Sequence, residues 1–207
     1  MFKIKKNGVP AWALRLCNLV RWPLMRNAVH DDVGQHTFRV AVIAHHIAMI
    51  AKHTLGNPTV NPDRVAAMAI YHDLAESSGP GDIPHSVKYS SKEAMDLFKA
   101  LEAKAERDLA DSYSDAAFGQ HMREYIIQDE LDGELKFIVK AADIIDGFIH
   151  AAKELEGGNK DFSHAYNRQK TLLNDYVSAS RAVAVFVDDY LPSCLMNLDE
   201  LAHGSAE

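Results

Sequence analysis

The chain has 207 residues, 47% of them hydrophobic and 25% charged, an ordinary composition for a soluble globular protein and enough length for one sizeable core. A single domain over residues 1–207 is therefore expected. The net charge of -7 argues against a nucleic-acid polymer as partner, since such binders present a basic face, but it leaves room for a small phosphorylated ligand. Cys17 and Cys194 stand far apart in no metal motif, which fits two thiols in a reducing cytoplasm better than a disulfide framework. The first residues lead into no uninterrupted apolar run, and no stretch reaches membrane-spanning length, so neither a signal peptide nor a membrane partner is expected.

Residues 1–10 read as a short extended arm, and residues 11–20 as a helix with Pro10 in its first turn. Pro23 interrupts the chain within Arg21-Trp22-Pro23-Leu24-Met25-Arg26, and residues 31–34 suggest a turn. A strong helix follows: His36, Val40, Ile43, Ile47 and Ile50 recur at spacings of four, three, four and three, one face of a 3.6-residue period. His36 thus points inward, either as a core histidine bonded to a backbone carbonyl or as a ligand. His45, His46 and His53 read as surface or flanking residues.

Asn61-Pro62 marks the next helix start, with Asn61 capping, and an alanine-rich helix runs from there into His72-Asp73. At helical spacing His72 and Glu76 would share a face. Gly79-Pro80-Gly81 and Pro84 make residues 77–90 loop-rich, and this loop carries Asp82, His85 and Lys88. A helix over about 91–109 has Met95, Phe98, Leu101 and Ala105 inside, with Lys99, Glu102, Lys104, Glu106 and Arg107 on a solvated face. A weaker helix covers 116–131. A clear one covers 134–154, where Asp143 flanks the stripe Leu135, Ile138, Ala142, Ile145 and Ile149, and Asp146 falls close to Asp143 on the wheel. Residues 162–189 read as two helical segments or one bent one. With no repeat and no β alternation, the prediction is an all-α domain of about six to eight helices.

Imidazole and carboxylate both coordinate divalent first-row ions, so His36, His72, Asp73 and Asp143, on three packed helices, form a candidate metal set. Glu76 would lie close by as a carboxylate able to move a proton. Arg21 is either a phosphate contact or a surface charge, and Trp22 either a wall for a sugar or base or a core plug.

These residues stand in phrases that resemble a known superfamily. His36, His72-Asp73 and Asp143 look like the H…HD…D signature of HD-domain phosphohydrolases, an all-α group that binds divalent metal. Arg21-Trp22-Pro23-Leu24-Met25-Arg26-Asn27, Tyr71-His72-Asp73, Gly81-Asp82-Ile83-Pro84 and Val87-Lys88-Tyr89 are similar to the YfbR-like 5'-deoxynucleotidases, over about residues 12–200. The resemblance implies a single HD-domain helical bundle that removes the 5'-phosphate from deoxyribonucleoside monophosphates. It makes His36, His72, Asp73 and Asp143 the ligands of one divalent ion (cobalt, manganese, zinc or magnesium). It makes Arg21 and Lys88 phosphate contacts, Trp22 a wall that disfavours a 2'-hydroxyl, and Glu76 and Asp82 the proton-handling or water-positioning carboxylates. It also implies a homodimer.

Two departures stand out. Gln35 precedes His36 where the family often has an acid, so an acidic partner for the first ligand is expected to be missing, and the loop from Glu76 to Asp82 is one residue longer. The same ligands would also serve a deoxynucleoside triphosphate triphosphohydrolase of the phage type, or a noncatalytic nucleotide sensor. The lack of a basic cluster in the sequence favours the monophosphate.

Overall fold

The computed structural model describes residues 4–204. Residues 1–3 of the expected arm, and the last three residues of the expected domain, lie outside the described residues. The rest folds as an all-helical single-domain bundle, and among the described residues the only β feature is an isolated antiparallel bridge between Val20 and Asp32. The first helix begins earlier than the sequence suggests: α1 is Val9–Ala13 with Pro10 in its first turn, and it passes into a 3-10 turn, Leu14–Asn18.

The strong apolar period becomes α2, Val33–Met49. Gly34 lies inside this helix rather than in a turn before it, because Asp32 caps the end by accepting from the Gln35 amide at 2.9 Å. Helix α3, Pro62–Ile70, starts as expected: the Asn61 side chain accepts from the Arg64 amide. It stops at Ile70, however, and Leu74–Ser77 is a 3-10 turn, so His72 and Glu76 are not related by α-helical spacing.

Then come α4, the single turn His85–Lys88; α5, Lys92–Ala110; α6, Ala116–Ile126; and α7, Gly133–Glu156. The chain closes with α8, Ser163–Ala179, and α9, Arg181–Asp189, divided at Ser180, which caps α9, followed by the short α10, Leu191–Leu195, and α11, Leu198–His203.

The core is the junction of α2, α3, α7 and α9. Val40, Ile43 and Ile47 meet Val65 and Met68 on one side, Ile138, Ala142 and Ile145 on another, and Val183 and Phe186 at the end. Ala44, Ala48, Ala69, Ala141 and Ala142 are buried there, and their small size lets α2, α3 and α7 approach closely. His36, the end of α3 and Asp143 come together where α2, α3 and α7 meet. Helix α5 departs from its expected face: Glu106 is only 7% exposed, while Leu97 is open to solvent.

Candidate active site

Two imidazoles face each other at the centre of the site. His36, fully buried, has its Nδ1 at 2.7 Å from Asp146 Oδ2, and His72 has its Nδ1 at 2.7 Å from the Ala69 carbonyl. Each Nδ1 therefore donates, which leaves a lone pair on each Nε2, and the two Nε2 atoms are 3.2 Å apart. Facing lone pairs at that separation need a cation beside them. Asp73 Oδ2 lies 3.3 Å from His36 Nε2 and 3.1 Å from His72 Nε2, and Asp143 Oδ1 lies 3.3 Å from His36 Nε2. His36, His72 and Asp73 form a compact set of metal-capable ligand atoms, with Asp143 beside His36. Two neutral imidazole nitrogens and hard carboxylate oxygens suit one divalent first-row ion.

The charge balance leads to the same conclusion. Burial and the Arg21 charge oppose a protonated His36, but Asp143, Asp146 and Asp73 outweigh them and its pKa is raised to about 10. A positive charge is thus demanded at this point, and without a metal a proton supplies it. Burial alone would raise the Asp73 carboxyl, yet the two histidines hold it well below its ordinary range. Asp143 is likewise depressed against its burial, chiefly by Lys140, whose Nζ is 3.1 Å from Asp143 Oδ2.

Glu76 behaves in the opposite way. Burial, then the charges of Asp73 and Asp82, raise its pKa well above the usual carboxylate range, and its Oε2 is buried without a hydrogen-bond partner. A cavity of about 390 Å³ opens on this group, lined by His72, Asp73, Glu76, Lys88, Glu106 and Lys140 among others. His72 and Glu76 both face it, although the turn after α3 rather than an α-helical period brings them there.

Arg21, Trp22 and Asp82 do not line that cavity. Arg21 Nη1 donates to Asp146 Oδ2 at 3.2 Å. Trp22 takes a left-handed backbone, φ 56°, and its amide donates to Asp82 Oδ2 at 3.0 Å. The indole stacks on His150 at 5.8 Å and meets Phe162 edge-on at 5.4 Å, a packed setting close to the core plug reading. Burial raises the Asp82 pKa, with Arg21 and the Trp22 amide opposing. Glu154 steadies the same segment by accepting from the Ala28 and Val29 amides. Lys88 reaches the cavity but is paired to Glu102 at 2.6 Å.

The expected loss of an acidic partner for His36 is corrected by the structure. Gln35 turns away to Asp32, at 2.7 Å, and Asp146 supplies the carboxylate instead. Sequence reasoning missed Asp146, Arg39 and Lys140. The available signals were an acid three residues after Asp143 on a buried face, and two cations three residues from ligands, Arg39 after His36 and Lys140 before Asp143.

The sequence model of the YfbR-like 5'-deoxynucleotidases matches residues 10–194. The chain belongs to that family. Among its YfbR-like relatives, a 5'-deoxynucleotidase of Vibrio cholerae is 34% identical over 188 residues, 91% of this chain and 94% of that one. An HD-domain phosphohydrolase from Listeria innocua superposes with a TM-score of 0.78 at 21% identity, over 96% of this chain and 95% of that one. The cyanophage S-2L HD phosphohydrolase DatZ, solved with dA and one catalytic Zn2+ ion, shares the fold with a TM-score of 0.60 at 17% identity, over 89% of this chain and 95% of that one. Family membership together with the His36, His72 and Asp73 cluster makes this YfbR-like chain a metal-dependent nucleotide phosphohydrolase.

Proposed function

We propose that residues 1–207 act as one domain that removes the 5'-phosphate from 2'-deoxyribonucleoside monophosphates, with His36, His72, Asp73 and Asp143 holding one divalent ion. The observation that carries this reading is the pair of imidazole Nε2 atoms 3.2 Å apart, flanked by two carboxylates at the end of a nucleotide-sized cavity. When bound, the ion supplies Lewis acidity, polarising a phosphoryl oxygen and making water a better nucleophile.

The chain's own residues do the rest. Glu76 is the proton-transfer group: kept protonated by burial and by Asp73 and Asp82, it gives a proton to the departing 5'-oxygen as the P–O bond breaks. Asp82 acts through Trp22, holding its backbone, and the indole, on the Arg21 side of the metal cluster rather than in the wall of that cavity, is the surface against which the sugar lies. Arg21, Lys88 and Lys140 balance charge on the phosphate. The lining includes four lysines, Lys88, Lys99, Lys136 and Lys140, a basic group invisible in the sequence. They face Asp73, Glu102, Asp129 and a partly ionised Glu106, with Glu76 held neutral, so the wall carries little net positive charge for a triphosphate.

The test is orthophosphate release from deoxynucleoside monophosphates after dialysis against chelator and add-back of cobalt, manganese, zinc or magnesium. Metal-dependent release from the parent, lost in Asp73→Asn, is expected. One-step release of triphosphate from a deoxynucleoside triphosphate would favour the phage-type reaction, and tight binding without turnover would favour a sensor.

The exposed apolar row Phe38, Val42 and Met49 on α2 supports a homodimer, for which light scattering should give twice the chain mass. Two unpaired thiols, Cys17 and Cys194, support a reducing, cytoplasmic setting. No helix among the described residues is long and apolar enough to cross a membrane.

A further inference from the structure

Asp146 is 1% exposed and holds three other side chains at once. Its Oδ2 accepts from His36 Nδ1 at 2.7 Å, from Arg39 Nη2 at 3.1 Å and from Arg21 Nη1 at 3.2 Å, while its Oδ1 accepts from Arg39 Nε at 2.6 Å. The two guanidiniums are held unequally. Arg39 makes a paired contact and is further anchored by Asp31, 2.9 Å from its Nη2. Arg21 makes one long hydrogen bond to Asp146 and stands 4.0 Å from Asp31. A buried carboxylate left without its partner is strongly destabilising, so a site that needs Arg21 for an incoming phosphate must keep Asp146 compensated when Arg21 lets go.

We propose that Asp146 is a positioning residue that joins the metal cluster to the phosphate side of the site: it holds His36 with Nε2 towards His72 and Asp73, and with Arg39 as its permanent counter-ion it frees Arg21 to exchange onto a ligand phosphate. This rests on the reading of Arg21 as a phosphate contact in the proposed reaction. Arg39 thereby has a purpose that no contact with substrate requires. Two different binding events should depend on two different members of the network.

The test uses the full-length chain and two probes that need no turnover: manganese alone, by titration calorimetry, and inorganic phosphate in saturating manganese. In Asp146→Asn, manganese affinity should fall about tenfold or more, the usual loss when a ligand's orienting partner is removed. In Arg39→Gln, Arg21 becomes the only guanidinium left for Asp146. Phosphate affinity should then fall about tenfold, the worth of one charge-assisted hydrogen bond, with manganese affinity within about threefold of the parent. Arg39→Lys should recover part of the phosphate affinity. Nitrogen-15 spectra of the zinc-loaded parent should show the His36 proton on Nδ1, the atom that faces Asp146. Unchanged phosphate affinity in Arg39→Gln, unchanged manganese affinity in a folded Asp146→Asn, or a His36 proton on Nε2 would each overturn the proposal. So would losses of both affinities that merely follow the melting temperature. Should Asp146→Asn not fold, the Arg39 variants and the tautomer decide. If no deoxynucleotide is hydrolysed, the substrate reading fails while both binding arms remain readable.

Discussion

Glu106 and Trp22 show how far a single side chain's surroundings can depart from what its neighbours in sequence suggest. Glu106 sits in a helix face patterned with charge, yet it is buried, with its Oε2 accepting from the Gln128 amide at 3.1 Å. Burial, opposed by that hydrogen bond, raises its pKa to about 7. A carboxyl whose folded pKa lies above its unfolded one binds more protons when folded, so its contribution falls as pH rises from the unfolded value near 4.3 through about 7. Glu106→Gln should therefore melt like the parent at pH 4 and be more stable at pH 8.5 by an amount on the order of 2 kcal/mol, measured by thermal unfolding at both pH values. Trp22 is held by Asp82 on the backbone side and by His150 and Phe162 on the ring side. If it walls off the sugar, Trp22→Ala should lower the ratio of kcat/KM for dAMP over AMP by about tenfold, chiefly by improving the ribonucleotide. The candidate metal cluster itself was legible, because His36 interrupts an apolar stripe and His72-Asp73 is poor helix filler. Asp146 was not, because a helical wheel gives the face a residue occupies but not the partner it meets there.

At the scale of elements, the pattern of α2 and α7 could be read because a buried stripe repeats with the helix period. The ends were harder, because side-chain caps and tertiary contacts fix them. Asp32 draws Gly34 into α2, and α3 stops two residues short of His72. Once inside the helix, Gly34 has no room for a side chain: an added Cβ would lie 2.5 Å from Cys17 Sγ and 3.1 Å from the Cys17 amide nitrogen. Gly147 in α7 is crowded by the end of the Gln169 side chain at 2.9 Å, a group that can swing aside. Urea unfolding should thus find Gly34→Ala destabilised by about 1–3 kcal/mol through overpacking. Gly147→Ala should stay within about 1 kcal/mol of the parent, since the helix propensity gained by alanine offsets the shift of Gln169. Equal effects at the two sites would contradict the packing described for the start of α2.

For the whole molecule, the bundle brings His36 and Asp143, more than a hundred residues apart, within 3.3 Å of each other, so under the proposed ligand set stability and metal binding are linked. An ion that binds only the folded chain raises its stability by about 2.7 kcal/mol at a hundred times its dissociation constant. The parent's melting temperature should rise with added manganese or cobalt, and Asp73→Ala should show no rise. The overall architecture was predictable from the sequence, since six to eight amphipathic segments without β alternation allow little else. The convergence of α2, α3 and α7 on one point was only permitted by it.

That convergence is tested most directly by anomalous diffraction from a crystal grown with manganese. The account predicts one strong peak about 2.0–2.3 Å from His36 Nε2, His72 Nε2 and carboxylate oxygens of Asp73 and Asp143. A peak elsewhere, or a well-occupied ion with Asp143 turned away from it, would contradict it.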